Sequence, residues 1–168
     1  MQLTLLAAVE DIIAHDYSLP TRYSLRAVHQ TDEPALAELY YHVYAPEIIQ
    51  SRDEARNELR LTFEGAYGQL LPELSPVALW NDALVGSVLT VAQAPWADTP
   101  QGLFIIEVMT HTDHRRRGIA RASLVWAAKR ASLSGHKTIG LRVESENTAA
   151  VNLYSSLGFQ IWAQASGG

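Results

Sequence analysis

Apolar residues in this chain recur with two periods, helical in some stretches and alternating in others, and the switches between them predict an order of elements. Leu5, Leu6, Val9, Ile12 and Ile13 fall at helical spacing with Glu10 and Asp11 between them. That spacing predicts an amphipathic helix over residues 3–15, with Pro20 breaking the chain beyond it. Tyr23 to His29 alternates as a first strand. Thr31-Asp32-Glu33-Pro34 is a helix start with acidic residues in its first turn, and Leu36, Leu39, Tyr40 and Val43 then form one face. Ala45-Pro46 ends that helix. Ser51-Arg52-Asp53-Glu54 has the capping-box form, in which a serine hydroxyl accepts from the third backbone N–H of the helix it opens. The second helix runs at least to Glu64, and Gly65 and Gly68 weaken it before Pro72.

The alternating period then takes over. Val77 to Trp80, the turn residues Asn81-Asp82, and Leu84 to Val91 predict a hairpin. Ala94 to Pro100 is a loop by composition. Leu103 to Met109 is an apolar run read as a buried strand, interrupted by one carboxylate, Glu107. From Ile119 to Ser132 the helical period returns. Ala120, Leu124, Ala127, Ala128 and Ala131 share one face, small enough to approach a sheet closely. Ile119, Ala122, Trp126 and Leu133 form a second apolar face that predicts further burial, either inside the domain or against a partner. Ser134-Gly135 ends this helix. Ile139, Leu141 and Val143 alternate in a strand over 138–143, and Asn147 is a good N-cap for a short helix carrying Ala150, Leu153, Tyr154 and Leu157. Gly158 closes it, and Phe159 to Trp162 starts a last strand. Without repeats or low-complexity tracts, the order α-β-α-α-β-β-β-α-β-α-β predicts a mixed α/β sheet with helices on its faces.

Composition narrows the class. With 168 residues, 48% hydrophobic and 18% charged, the chain reads as one globular domain able to bury a core. No segment approaches the ~20 apolar residues of a membrane span, and the first residues lack the basic region of a secretory signal. A cytoplasmic protein is expected. The absence of cysteine excludes disulfides, thiol catalysis and cysteine-ligated zinc. A net charge of −5 argues against general nucleic-acid binding, whose usual footprint is a basic surface.

The basic charge is local. His114-Arg115-Arg116-Arg117-Gly118-Ile119-Ala120 lies between a predicted strand and a predicted helix. A helix start offers unpaired N–H groups at the positive end of its dipole, and arginine forks suit phosphate. Taken alone, this stretch reads equally well as a solvated basic turn. His111 and His114 flank Asp113, but three such side chains in one loop are better explained by proximity to an anion site than by a metal, and none is expected.

Two motifs change the balance. Arg115-x-x-Gly118-x-Ala120 opens a helix after a strand, and one strand later comes Asn147-x-x-Ala150-x-x-Leu153-Tyr154-x-x-Leu157-Gly158-Phe159, all behind a helix pair and a hairpin. In this order the chain resembles the GNAT superfamily of acetyl-CoA-dependent N-acetyltransferases, firmly over residues 76–162. The resemblance implies a GNAT fold over residues 1–168: a mixed, mostly antiparallel sheet flanked by helices. On that reading residues 1–20 are an extra helical extension, residues 21–75 hold the first strand and acceptor-side helices, and residues 76–162 hold the hairpin, coenzyme core and last strand. Family members usually have a further strand after the position of Trp162. Its shortening here would leave a sheet edge open, to be completed by another subunit, by a missing segment or by nothing, so a homodimer is expected.

The resemblance also implies roles. Backbone groups from Arg115 through Arg116, Arg117, Gly118 and Ile119 to Ala120 would hold the coenzyme pyrophosphate, with Gly118 allowing close approach. The preceding strand would carry a bulge and splay from its neighbour, so that Val108, Met109 and Thr110 meet the pantetheine arm through their backbone. One such N–H would polarise the thioester carbonyl. Asn147 matches a coenzyme-contacting position while also serving as N-cap. Tyr154 matches the general acid for the departing thiolate, and Glu107 leads as the base, with Glu144 second. A carboxylate in an apolar strand is costly to bury and so is expected to face a cleft or a partner. The implied activity is transfer of an acetyl group from acetyl-CoA to a primary amine of a small molecule or peptide, in a ternary complex and without a metal. A non-catalytic acyl-CoA sensor is the alternative. Tyr40, Tyr41, Tyr44, Glu47, Trp96 and Asp98 are available to shape the acceptor pocket.

Overall fold

The computed structural model describes residues 1–164. Seven strands form one sheet: β1 (Gln2–Ala8), β2 (Tyr23–Ala27), β3 (Pro76–Trp80), β4 (Ala83–Val91), β5 (Leu103–Thr110), β6 (Thr138–Glu144) and β7 (Gln160–Gln164). Their spatial order is β2-β3-β4-β5-β6-β1-β7. Every neighbouring pair is antiparallel except β5 and β6, which run parallel. The helices are α1 (Val9–Ile13), α2 (Glu33–Tyr44), α3 (Arg52–Glu64), α4 (Ile119–Leu133) and α5 (Thr148–Ser156). This is the mixed sheet with flanking helices that the residue pattern predicts, mostly antiparallel as the resemblance implies.

Two apolar layers hold it together. On one face Leu124, Val125, Ala128 and Ala131 of α4 pack with Val9 and Ile12 of α1, Tyr154 of α5, and Leu141 and Val143 of β6. On the other, Leu36 and Leu39 of α2 and Leu59 of α3 cover Val77, Leu89 and Met109. Helix α3 starts as its capping sequence dictates: Ser51 Oγ accepts from Glu54 N at 3.1 Å, while Glu54 accepts from Gln50 N at 3.0 Å. No helix among the described residues is long and apolar enough to cross a membrane.

The N-terminal prediction is corrected. Residues 3–15 are not one helix, and no helical extension stands apart from the sheet. Gln2–Ala8 is a strand, and only Val9–Ile13 is helical. Strand β1 lies between β6 and β7, pairing Leu3 with Val143, Leu5 with Leu141 and, on its other edge, Leu5 with Ile161. Leu3, Leu5 and Ala7 are buried on one face and Thr4 on the other. A strand covered on both faces reads as a continuous apolar run, without the alternation that identifies a half-exposed strand. Such a run merges with the helical residues that follow it. The place beside β6 is taken by a strand from the start of the chain.

The second face of α4 is buried only in part within the chain. Ile119 and Ala122 are buried, but Leu133 is 88% exposed. Trp126 is half-buried, and the Arg130 guanidinium lies over its ring, 3.9 Å from the centroid.

Candidate active site

The site opens where two parallel strands part. β5 and β6 pair only at Leu103–Ile139, Phe104–Gly140 and Ile105–Leu141, although β5 continues to Thr110 and β6 to Glu144. Beyond Ile105 the backbone of β5 has no strand on its β6 side. The wedge is a cavity of about 300 Å³ lined by Tyr44, Ile48, Glu107, Arg142, Asn147 and Tyr154 among others. The splay that the resemblance implies is present.

A bulge on β5 decides which way its carboxylate points. Thr90 of β4 faces Ile105 and Leu89 faces Glu107, so Ile106 is an extra residue on β5. Leu103 and Ile105 pack in the α4 layer, and strict alternation would send Glu107 there too. The inserted residue reverses the parity. Val108 now packs in the α4 layer and Met109 in the α2 layer, and Glu107, opposite Leu89, turns toward α2. There the Tyr44 hydroxyl donates a short hydrogen bond to Glu107 Oε1.

Burial dominates the chemistry of this carboxyl. Loss of solvent pushes the Glu107 pKa up to about 7, opposed by the Tyr44 hydrogen bond and reinforced by the negative charge of Glu58. Tyr44 is raised far above its ordinary range, by burial first and by Glu107 next, and remains a donor at any physiological pH. The Tyr40 ring packs against it, tilted by 56° with ring centroids 4.5 Å apart. Tyr154, from α5, is buried with its ring edge-on to Phe159, and burial and then Glu107 push its pKa up to about 12. Its hydroxyl has no hydrogen-bond partner among the described residues. It lines the same cavity, so Glu107 and Tyr154, far apart in sequence, meet around one space. One group can take a proton near neutral pH and the other holds one.

Asn147 caps α5, its Oδ1 accepting from Ala150 N at 3.3 Å, and also lines the cavity. Glu144 lines it too, but its carboxylate lies 3.6 Å from the Met1 ammonium and is exposed. Val108 is in the cavity wall, followed by Met109 and Thr110 on the unpaired stretch of β5.

The basic loop follows directly. A short 3₁₀ turn (Thr112–His114) leads into Arg115, then Arg116 at φ 64° and Gly118 at φ 77°, and α4 starts at Ile119 without a side-chain cap. The left-handed residues curl the backbone into a concavity, and the N–H groups from Arg116 to Arg121 have no acceptor among the described residues. Gly118 is required here for its φ; only Ser18 O lies near the place of a missing Cβ, at 3.9 Å. Arg115, Arg116 and Arg117 are exposed. Arg115 donates to Thr110 O at 3.3 Å, whereas Arg117 donates to Tyr23 Oη at 2.7 Å, which also bonds His114 Nδ1 at 2.7 Å. Unpaired donors, a glycine turn and three arginines beside a splayed strand fit an extended thioester carrying phosphates. Among the described residues, no cluster of three or more histidines and carboxylates is arranged to hold a metal ion.

The acceptor-side candidates separate. Tyr44 reaches the cavity, while Tyr41 lies under the Arg52 guanidinium (4.4 Å) beside a different groove of about 690 Å³ that also holds His42 and His111, stacked 3.8 Å apart. Glu47 is exposed and lines neither space. Trp96 and Asp98 stand next to Arg142 of the cavity wall, Arg142 Nη2 donating to Asp98 Oδ1 at 2.7 Å. Sequence reasoning missed the Tyr44–Glu107 bond and Arg142. The bond depends on strand parity, which the β5 bulge alters without trace in composition, and Arg142 lines the cavity only because β5 and β6 part after Leu141.

A model of the acetyltransferase (GNAT) family matches residues 35–159. Comparison with curated proteins gives no match. Among solved structures, PH1933 from Pyrococcus horikoshii OT3 superposes with a TM-score of 0.71 at 20% identity, over 86% of this chain and 92% of that one. Aminoglycoside N-acetyltransferase AAC(6')-Iy, solved in complex with CoA, gives 0.67 at 13% identity, over 92% and 97%. A transcriptional regulator from Bacillus halodurans C-125 gives 0.61 at 18% identity, over 87% and 98%. At these identities the likeness is one of fold.

Proposed function

Because the chain belongs to the GNAT family of acetyltransferases, we propose that it transfers an acetyl group from acetyl-CoA to a primary amine of a small molecule or peptide, by direct attack in a ternary complex. The observation that carries this reading is the β5–β6 cavity, which a buried carboxyl and a buried tyrosine line together beside a phosphate-suited loop.

Acetyl-CoA supplies the activated acyl group; the chain supplies position and protons. The N–H groups from Arg115 to Ala120 receive the pyrophosphate at the start of α4, with Arg115 and Arg116 adding charge. Arg117, held by Tyr23, stiffens the loop in this state. The unpaired edge of β5 at Val108, Met109 and Thr110 gives the pantetheine arm a strand to lie against. A backbone N–H of that edge polarises the carbonyl. Glu107 takes the proton that keeps the amine from attacking, and Tyr44 orients the carboxylate that does so. Tyr154 keeps its proton for the departing sulfur. Asn147 holds the start of α5, and so the placement of Tyr154.

Isothermal titration with acetyl-CoA, followed by thiol release over a panel of amines and peptides, tests the proposal. Binding followed by amine-dependent thiol release is expected. Absence of binding by any coenzyme A derivative overturns it, and binding without release for any amine leaves a sensor.

A further inference from the structure

Among the described residues lining the cavity, Arg142 is the one cation, and its surroundings are unusual for a structural ion pair. It stands on β6 one residue past the last pair with β5, on the even-numbered face that carries Gly140. A Cβ on Gly140 would meet Phe104 and Pro100 at 3.1 Å, so the loop of residues 92–102 descends onto this face of the strand. That loop brings Trp96 and Asp98 to Arg142: the ring centroid of Trp96 is 5.1 Å from the guanidinium, and Asp98 Oδ1 accepts from Nη2 at 2.7 Å. The pair is lopsided. The Arg142 side chain is 19% exposed, whereas that of Asp98 is 82% exposed.

A guanidinium has five N–H donors in a planar fork that matches a carboxylate two at a time. Here one is taken by Asp98, and Nε reaches Thr4 Oγ1 only at 3.4 Å. The cation is sequestered, incompletely satisfied, and partnered by an exposed acid on a loop. A partly buried charge requires an anion; nothing requires that the anion be Asp98. Glu107, the acid across the wedge, points its own hydrogen-bonding oxygen at Tyr44. The cavity of about 300 Å³ thus has an amine-accepting carboxyl on one strand and an anion-accepting fork on the other.

The geometry points to Arg142 as the anchor for a carboxylate on the acceptor, which makes the acceptor a small amino acid held by its carboxylate while its amine faces Glu107. This assignment rests on the transfer reading above and names the substrate class for it. Arg142 acts in specificity, and Trp96 walls the anion subsite by lying over the guanidinium.

The test is thiol release from acetyl-CoA with matched pairs: L-amino acids against the same amines lacking the carboxylate, and against their amides. In active pairs the carboxylate member is expected to have the higher kcat/KM, by about tenfold or more, as for a charged hydrogen-bonded pair. In Arg142→Gln the ratio falls toward one through KM, kcat changes little, and the Kd for acetyl-CoA is retained, which also reports that the variant folds. Arg142→Lys, a point charge without the fork, restores part of the preference. Equal or better turnover of the amines lacking a carboxylate overturns the assignment and leaves the transfer reading standing. So does a preference that survives in Arg142→Gln. Absence of turnover for both members of every pair, with turnover of another amine or peptide, overturns the assignment alone; absence of acetyl-CoA binding overturns the transfer reading, and the assignment with it.

Discussion

The two walls of the cleft are made from different materials. The wall proposed for the donor is mostly backbone: the free edge of β5 and the N–H groups of a left-handed turn that runs into α4. The wall proposed for the acceptor is mostly side chains, with Tyr44 from α2, Glu107 from β5 and Arg142 from β6. Backbone donors are common to all residues, so the donor wall needs little from sequence beyond a glycine, a small residue and positive charge. Side chains are chosen one at a time, and their aim depends on which face of an element they occupy. The donor wall is therefore the generic half of the molecule and the acceptor wall the particular half.

That contrast can be broken most sharply at Glu107. Glu107→Gln keeps the volume and an acceptor for Tyr44 but removes the base, and steady-state kinetics are expected to fall by about 10²–10⁴-fold in kcat/KM while the acetyl-CoA Kd holds. The same residue gives a pH signature. With its pKa near 7, wild-type kcat/KM rises as pH passes through about 7, and this limb is absent from the glutamine variant. Stability runs the other way. The folded-state pKa lies above the ordinary 4.5, so the native state binds the extra proton between about pH 4.5 and 7. Its stabilisation is present below that window and is lost as pH rises through it. Glu107→Gln should gain on wild type above pH 7, on the order of 3 kcal/mol, measured by chemical denaturation at pH 5 and pH 8. A variant with no gain at pH 8 would place the carboxyl in a wetter setting than the one described.

The donor wall is tested by Gly118→Glu, which strains a left-handed position and sets a negative charge where phosphate should lie. Calorimetric acetyl-CoA binding is expected to weaken by about a hundredfold or more, corresponding to ~3 kcal/mol, without loss of the fold. Tyr154→Phe should lower kcat by roughly tenfold to a hundredfold and leave acetyl-CoA binding intact. A thiolate whose conjugate acid has a pKa near 8.5 needs less help in leaving than an alkoxide, which bounds the effect. Full activity in this variant would remove Tyr154 from proton transfer and leave it a core residue. The smallest effect is expected for Tyr44→Phe. Loss of its hydrogen bond moves the Glu107 pKa further up, so the kinetic limb shifts to higher pH and activity at pH 7 falls a few-fold. An unshifted limb would mean that Tyr44 does not govern this carboxyl.

The donor wall was also the more legible one. A strand, a turn with Gly118 and a helix opening at Ile119 are neighbours in the chain, and local spacing was enough to align them. The hairpin, the cap at Ser51 and the short helix behind Asn147 were legible for the same reason. Glu107 stood out because a carboxylate within an apolar strand has few comfortable destinations. Its partner did not stand out. Nothing near Tyr44 reveals that the extra Ile106 will turn Glu107 toward it, and nothing near Arg142 reveals the loop that brings Asp98. Strand β1 was misread outright, because an interior strand buried on both faces loses the alternation by which strands are recognised.

By itself, the sequence determined where chain direction changes, which segments beyond residue 20 take helical or extended form, and where phosphate-suited donors gather. Each of these follows from interactions within a few residues: periodic apolar faces, caps, and the positive φ that Gly118 tolerates. Tertiary structure decided what lies beside what. It placed β1 between β6 and β7, parted β5 from β6 after three paired positions, and brought Tyr44, Glu107, Tyr154 and Arg142 around one cavity. Those outcomes depend on packing and strand register across the whole sheet, where a single inserted residue reverses every face that follows it.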